Sequence, residues 1–477
     1  MNQKEIAVLI LGRGEEISEL EGYYNSKHPE FLVVFGRRRV GKTYLIREHF
    51  GNRLFFYHTG VANEGIDAQI TEWNKSLKRY GDPDPETAKD WYEAFDRLRG
   101  IIEKAPGRER KVIFLDELPW METPKSGFLS ALEHFWNGWG ASRTDIFLIV
   151  CGSATSWIVQ KLIGNKGGLH NRLTGKMYLR PFTLGECEAY YHEEGIVYSR
   201  YQMIESYMIF GGIPYYLSLM KKSNSLAQNV DRLCFRENAV LNDELNNLYH
   251  SLFKNADGHI AIISALATKT KGLSRGEILA QSGLTDGGGF TRILTELEQS
   301  GFIRKYRNYG NKKKDALYQL IDFFSLFYLK FIQDSYASDK NLWTNLIGKG
   351  EHGAWTGYAF EQVALAHIDE IKSKLGISGV LSKQYAWRSK GRPGAQIDLV
   401  IEREDGVINL CEAKYANGEY SITGDDDEDL RGKREVFRAE TKTKSALHLT
   451  MITTYGVARG MYADTLQSVV TMEDLFK

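Results

Sequence analysis

The sequence is poor in cysteine. Its four cysteines, Cys151, Cys187, Cys234 and Cys411, are scattered over 477 residues. No two stand at metal-ligand spacing and none falls in a short disulfide-rich module, so a cysteine metal site is excluded and a reducing compartment is the simplest expectation. Long apolar runs are also missing. The best candidate, residues 320–332, is interrupted by Asp322, Ser325 and Lys330, and it falls short of the roughly 20 apolar residues a bilayer-spanning helix needs. The opening residues carry a short apolar stretch followed quickly by charge, without the apolar core and small-residue cleavage site of a signal peptide. A cytoplasmic protein with no membrane partner is expected. An excess of either charge is absent too: 61 basic residues balance 61 acidic ones. Nothing therefore pulls the whole chain towards nucleic acid, and any DNA contact has to come from a local basic patch. Internal repeats and long low-complexity segments are lacking.

What remains has the composition of ordinary globular protein, 43% hydrophobic and 26% charged. The length suits about three domains at roughly 150 residues each. Over residues 31–200, short apolar runs at 31–35, 54–57, 112–115, 146–150 and 177–179 alternate with helical patterns such as 44–50 and 128–139. Continuous β-branched and aromatic runs suit strands buried on both faces, and the alternation is that of a parallel, doubly wound sheet. Residues 201–256 read as all-helical. Residues 260–267, 275–282 and 290–300 read as three helices, followed by strands at 302–309 and 316–321 around a basic turn of Lys312, Lys313 and Lys314. That order is the order of a winged helix-turn-helix, with the glycines 287–289 as the turn into its third helix. A polar stretch, 333–351, reads as a linker. Beyond it a helix over 355–374, strands near 395–402, 407–412, 446–453 and 468–471, and a helix near 428–442 restore α/β character. The acidic run 425–429 reads as a solvated helix start, where negative charge suits the macrodipole.

The strongest chemical signal is Gly36-Arg37-Arg38-Arg39-Val40-Gly41-Lys42-Thr43, which fits GxxxxGK[ST] between an apolar strand and a helix-forming run. A glycine-rich loop after a strand lets successive backbone N–H groups curl around a polyphosphate, and the helix behind it adds its positive end. Lys42 is expected at the β- and γ-phosphates and the Thr43 hydroxyl on Mg²⁺, with Tyr44 closing the nucleotide-binding set. The matching acid is Asp116, at the end of the run Lys111-Val112-Ile113-Phe114-Leu115-Asp116-Glu117. Asp116 is expected to hold Mg²⁺ through water and Glu117 to polarise the attacking water as general base. A third strand ends in Cys151-Gly152-Ser153. Ser153 reads either as a polar group beside the γ-phosphate or as a plain turn or cap residue. Arg172 and Arg180 follow downstream, where an arginine can neutralise charge on the transferred phosphoryl group or simply be solvated.

These motifs resemble the AAA+ type of P-loop ATPase. More narrowly, they look like a prokaryotic family with a GRRRVGKT loop, an LDELPW-type second motif (115–120), a GS turn (Gly152-Ser153) and a GGxP turn (Gly211-Gly212-Ile213-Pro214). The segment Leu11-Gly12-Arg13-Gly14-Glu15-Glu16 resembles the family's opening box near the adenine, with Gly14 interrupting the usual run. The resemblance implies ATP and Mg²⁺ as cofactors, Ser153 as γ-phosphate sensor, Arg172 as arginine finger and the GGIP turn as part of a helical lid. It also implies a homo-oligomer as one way of supplying the finger.

In the C-terminal part, Asp398 lies on one apolar run, and Glu412 and Lys414 share one face of the next, since side chains alternate along a strand. Asp398 and Glu412, with Glu361 from the helix before them, form a candidate oxygen-ligand set for a divalent metal. Lys414 is placed to orient water or to stabilise charge on phosphorus. As a plain hairpin, the same residues would only expose ordinary charges. The pattern resembles the PD-(D/E)XK nuclease fold, with Ile397 where a proline often stands. DNA contact is expected from Thr291 and Arg292 on the third helix of the winged element, from Lys305, Arg307 and Lys312–Lys314 on its wing, and from the basic-aromatic cluster Trp387, Arg388, Lys390 and Arg392; a winged helix can equally be a protein-binding module.

The expected fold class is therefore α/β. It comprises a P-loop NTPase core with an AAA+-like parallel sheet (1–200), a helical lid (201–256), a winged helix-turn-helix (257–332) and a C-terminal α/β restriction-endonuclease-like domain (340–477). The expected function is Mg²⁺-dependent ATP hydrolysis coupled to DNA binding, with DNA cleavage at the C-terminal acids. The alternative is a nucleotide-operated switch whose C-terminal domain binds without cutting.

Overall fold

The computed structural model describes residues 10–83, 86–107, 109–164, 167–169, 171–269, 271–307, 309, 316–335, 340–389, 391 and 394–477. Lys312, Lys313, Lys314, Lys390 and Arg392, together with the side chain of Arg307, lie outside what is described. The chain forms two compact units, Met1–Pro181 and Phe182–Lys477. No helix among the described residues is long and apolar enough to cross a membrane.

The first unit is built on a five-stranded parallel sheet: β1 (Glu30–Phe35), β2 (Leu54–Thr59), β3 (Lys111–Asp116), β4 (Ile146–Gly152) and β5 (Gly175–Tyr178), in spatial order β2-β3-β4-β1-β5. The apolar runs become strands because the sheet is covered on both faces. Every residue of β3 and β4 is buried, and only side chains without polar demands fill such positions cheaply. Helices α1 (Gly14–Tyr24), α2 (Lys42–Phe50), α3 (Ile66–Arg79), α4 (Trp91–Lys104) and α5 (Phe128–Gly138) complete the unit. An aromatic core sits under α3–α5, where Trp73 meets Trp91 edge-on at 5.3 Å and Trp91 meets Phe128 at 4.7 Å. The sheet order places β4 between the strand that leads into the phosphate loop and the strand that ends in Asp116.

The second unit begins with α6 (Leu184–Glu193), which the sequence groups with the ATPase core, and α7 (Arg200–Phe210). Both start with reciprocal capping boxes, Thr183 with Glu186 and Ser199 with Gln202. Further on, α8 (Glu244–Leu252), α9 (Asp257–Ala267), α10 (Arg275–Ser282) and α11 (Gly288–Gln299) accompany a small antiparallel sheet of order β6-β8-β7, made of β6 (Leu273–Ser274), β7 (Ile303–Arg307) and β8 (Ala316–Leu320). The glycine run is not wholly a turn, since Gly288 and Gly289 lie in the first turn of α11 and only Gly287 caps it.

The expected linker over 333–351 is corrected. It contains a helical turn, Leu342–Leu346, whose Trp343 is fully buried. The Asp231 carboxylate accepts from the Trp343 backbone N–H at 2.8 Å, and the indole packs against Phe327 (5.1 Å), Phe331 (5.3 Å) and Trp355 (5.3 Å). Polar neighbours hide this anchor from a composition-based reading. Trp343→Ala is expected to cost the second unit about 3–5 kcal/mol, read as a lower denaturation midpoint of the full chain. An unchanged midpoint would return the segment to linker status.

The chain ends in α12 (Gly350–Ala366) and a five-stranded mixed sheet: β9 (Ser382–Arg388), β10 (Gln396–Arg403), β11 (Val407–Lys414), β12 (Ala446–Thr453) and β13 (Ser468–Val470), in order β13-β12-β11-β10-β9. The helix α13 (Gly424–Thr441) packs on it. Strand β9 is invisible to alternation, because only Trp387 in it is buried. Trp387 is a core residue against Phe437 at 5.0 Å rather than part of an exposed basic-aromatic cluster. The acidic run at the start of α13 is likewise not all solvated. Asp427 is buried and bonded to Arg431 at 3.1 Å and Thr465 at 2.6 Å.

Candidate functional site

The phosphate loop is shaped by three unusual backbone positions. Gly36 has φ 145°, and a Cβ there would stand 2.3 Å from the Leu179 carbonyl oxygen, so only glycine fits. Arg39 (φ 71°) and Gly41 (φ 92°) are left-handed, and Gly41 turns the chain into α2. Lys42 and Thr43 open that helix and Tyr44 follows them, about half exposed. Arg37 and Val40 are buried within the loop, while Arg38 and Arg39 are half-buried.

The Lys42 ammonium is buried and donates to the carbonyls of Gly36 (3.0 Å) and Arg37 (2.8 Å). Burial lowers its pKa, and the nearby Cys151, Glu117 and Asp116 pull the other way. The Thr43 hydroxyl donates to Asp116 at 2.8 Å, which joins the loop to the end of β3. Burial raises the Asp116 pKa, opposed by the Thr43 hydrogen bond. A buried carboxylate disfavoured in its charged form, beside a hydroxyl oxygen, is a donor pair that a hard divalent cation satisfies, so these residues fit Mg²⁺.

Glu117 follows in a left-handed conformation (φ 47°, ψ 49°), which swings its side chain off the line of β3. Its carboxylate accepts from the Ser153 hydroxyl at 2.6 Å and from the Ser153 backbone N–H at 3.1 Å. Ser153 can reach it because β4 lies between β1 and β3. The structure thus brings together Lys42, Thr43, Asp116, Glu117 and Ser153. Arg172 is not among them; it lies exposed in the turn before β5, its backbone N–H donating to the Leu169 carbonyl. Arg13, from the opening box, is buried and donates to the carbonyls of Val40 (3.2 Å) and Arg180 (2.8 Å). Its signal in the sequence was the box alone, without a partner. The GGIP turn belongs to the second unit, where Gly211 and Gly212 are left-handed and a Cβ on Gly212 would lie 2.2 Å from the Phe182 carbonyl oxygen.

The second unit holds the other group. The antiparallel register Leu399↔Cys411 sets Asp398 on β10 beside Glu412 on β11. Asp398 accepts from Gln396 at 3.1 Å and lies 3.9 Å from the Lys271 ammonium. Glu412 is paired with Lys433 of α13 at 3.0 Å and with Lys414 at 3.5 Å. Burial, then the Asp398 charge, push the Glu361 carboxyl on α12 up to about 8, with Lys271 and Lys414 opposing and Glu412 adding to the rise. Burial and Glu412 raise Asp398 as well. The carboxylates therefore repel one another in a buried place, and Lys271, Lys414 and Lys433 offset that repulsion. Oxygen donors suit a hard divalent ion, yet among the described residues no three His, Cys, Asp or Glu side chains are grouped so as to hold one by themselves. Sequence reasoning missed Lys271 and Lys433, which arrive from distant elements.

Because Glu361 keeps its proton in the folded chain up to about pH 8 but loses it near 4.5 when unfolded, its contribution is full at low pH and is lost as pH rises through that window. Thermal unfolding of Glu361→Gln should therefore gain on the parent by a few degrees between about pH 5 and pH 8.5. An equal offset at both pH values would remove the assignment of this shift.

On α11, Arg292 is exposed with Glu296 3.8 Å away, and on β7 the Lys305 ammonium lies 5.6 Å over the Tyr318 ring. Thr291 accepts from Arg275 at 3.1 Å. Just past β7, the Tyr309 backbone N–H donates to Ala386 of β9 (3.2 Å) and its hydroxyl to Glu402 of β10 (2.9 Å), while its ring packs edge-on to Tyr385 at 5.3 Å. Arg388 is exposed at the end of β9.

Residues 11–220 match a family described as an ATPase domain predominantly from Archaea. Among curated proteins, an uncharacterized protein of Methanocaldococcus jannaschii is 25% identical over 415 residues, 85% of this chain and 88% of the relative. An uncharacterized ATP-binding protein of the same organism is 39% identical over 46 residues, 10% of this chain and 78% of the relative. Among solved structures, a Walker-type ATPase of Pyrococcus abyssi superposes with a TM-score of 0.49 at 17% identity, covering 68% of this chain and 96% of that one. The ORC2 protein of Aeropyrum pernix, in ADPNP and ADP complexes, gives 0.39 at 13% identity over 70% of this chain and 94% of that one. Likenesses this distant add nothing to the family match and the loop's own geometry. With a phosphate loop, a partnered acid and a family match spanning both, this chain carries over residues 11–220 a P-loop ATPase domain similar to that predominantly archaeal ATPase-domain family.

Proposed function

We propose that the chain is a Mg²⁺-dependent AAA+-type ATPase that couples ATP turnover to DNA handling by its C-terminal part. The observation that carries the ATPase reading is the continuous relay Lys42–loop carbonyls, Thr43–Asp116 and Glu117–Ser153. Lys42 turns from the loop carbonyls to the β- and γ-phosphates, and the loop amides take the rest of the polyanion. Thr43 and Asp116 would hold the metal, which would supply charge neutralisation on the phosphates. Glu117 leaves Ser153 to accept the proton of the attacking water, and Ser153 is then free to donate towards the γ-phosphate. Arg172 acts as finger only from a neighbouring copy, which makes a homo-oligomer part of the proposal. ATP hydrolysis by the full chain should require Mg²⁺ and vanish in EDTA; metal-independent hydrolysis would sink the reading.

Asp398, Glu412, Lys414 and Glu361 form the proposed nuclease-like site, adjoining a winged helix-turn-helix over 257–332. Held between Asp398 and Glu412, a divalent metal would supply Lewis-acid activation of a phosphodiester and its water. Lys414, paired to Glu412, is placed to stabilise charge on phosphorus. A second reading is favoured by one observation. The general base is engaged by Ser153 in this structure, which suits a slow, nucleotide-operated switch with a DNA-binding or silent C-terminal domain. The ATPase rate with and without duplex DNA separates the two: stimulation of several-fold supports DNA coupling, and an identical rate supports the switch.

A further inference from the structure

Strands β11 and β12 run parallel, with Lys414 opposite Thr453, and soon after each, at the same end of the sheet, comes a tyrosine, Tyr415 and Tyr455. Tyr201, in the first turn of α7, lies between them. Its ring stacks on Tyr415 at 4.6 Å and 16°, and on Tyr455 at 5.8 Å and 21°. The inner end of this three-ring column is closed. Phe360 of α12 packs on Tyr415 at 5.5 Å, and the Tyr415 hydroxyl donates to the Tyr201 carbonyl at 3.3 Å. The outer end is open. Tyr455 is 40% exposed, and among the described residues its side chain makes no hydrogen bond and its one ring contact is Tyr201. The backbone around it is fixed all the same. The Gly456 N–H donates to the Thr453 hydroxyl at 2.8 Å, the Tyr420 N–H to the Gly456 carbonyl at 2.9 Å, and the Ala416 N–H to the Thr454 hydroxyl at 3.1 Å.

We infer that the outer face of Tyr455 is a stacking platform for an unpaired base of single-stranded DNA, at the end of the sheet that carries Glu412 and Lys414. The inference rests on the reading of the C-terminal part as a DNA-handling module, and it needs no metal. Rings that only join two elements pack edge-to-face as readily as in offset stacks, and the inner pair already joins α7 to the sheet. The third ring adds an exposed face, nearly parallel to the others, on a fixed backbone. A nucleobase extends such a column without asking for a hydrogen bond. Every base has a π-face, so the platform takes a strand without reading its sequence. Inside a duplex both faces of a base are covered by its neighbours, so the platform selects single strands and splayed-out bases. Arg459, exposed four residues beyond Tyr455, is a cation of the kind that holds backbone phosphates.

The test is a fluorescence-anisotropy titration of the full chain, without ATP, against a labelled mixed-sequence single strand of about 16 nucleotides and against an abasic strand of the same length. Tyr455→Ala is expected to bind the base-bearing strand about 5- to 100-fold more weakly than the parent, the span of one base–aromatic stack. On the abasic strand the two chains should bind alike. Tyr455→Phe and Tyr455→Trp keep a ring at the end of the column and should keep the parental affinity. An unchanged affinity in Tyr455→Ala, or an equal loss on both strands, would overturn the platform. Tyr455-dependent binding of an arginine-rich peptide in place of the strand would give the ring to a protein partner and overturn it as well. Binding of duplex DNA but of no single strand would overturn the platform and leave the DNA-handling reading standing; binding of neither would overturn both.

Discussion

Glu117→Gln is expected to bind MgATP with near-parental affinity and to hydrolyse it about 10²–10³-fold more slowly, the range a positioned general base supplies. The Glu117 carboxylate accepts from Ser153, at 2.6 Å and 3.1 Å. The amide of a glutamine keeps an acceptor for the Ser153 hydroxyl and the shape of the side chain, but cannot take a proton. Binding and chemistry should therefore separate cleanly, with fluorescent-nucleotide titration unchanged and single-turnover hydrolysis nearly lost. Ser153→Ala supplies the internal control. It frees the carboxylate while removing the expected γ-phosphate contact, so it should lower turnover less than Glu117→Gln does. Parental turnover in Glu117→Gln would move the general base elsewhere.

Lys42→Ala has the largest expected effect on binding. The ammonium is buried and holds the loop closed through the Gly36 and Arg37 carbonyls. Hydrogen bonds to a charged group contribute about 1.5–3 kcal/mol each, and in the proposed complex these would be exchanged for phosphate oxygens. Loss of even one such contact amounts to about tenfold or more in affinity, and loss of two to about 10²-fold or more. Calorimetric titration with MgATP should show that fall, while the thermal midpoint without nucleotide drops modestly because two loop carbonyls lose their donor. Unaltered MgATP affinity in Lys42→Ala would undo the placement of the triphosphate at this loop.

How much of this was legible beforehand depends on the reach of each interaction along the chain. The phosphate loop is local: strand, left-handed turns and helix follow within a dozen residues, and the sequence names each. The acids at 116 and 117 were legible as a strand end. Their partners were less so, because Ser153 meets Glu117 only through the sheet order, which no local pattern encodes. Asp398, Glu412 and Lys414 lay in the alternation of two neighbouring strands. Lys433 and Lys271, the cations that complete their surroundings, come from a helix and from a separate small sheet. Trp343 and Trp387 were misread for a related reason: each is the one buried residue in a polar stretch, and a single buried aromatic leaves no period to detect.

Arg13 gives the loop a mechanical neighbour. One guanidinium nitrogen bonds both the Val40 carbonyl, inside the phosphate loop, and the Arg180 carbonyl. Leu179 meanwhile donates to Phe35 at 2.8 Å and presses its carbonyl against Gly36. Residues 179 and 180 are the last two before Pro181, where the first unit ends. The phosphate loop and the segment leading out of that unit are thus clasped at both rims, so a substitution that removes the Arg13 guanidinium strips one bond from each at once.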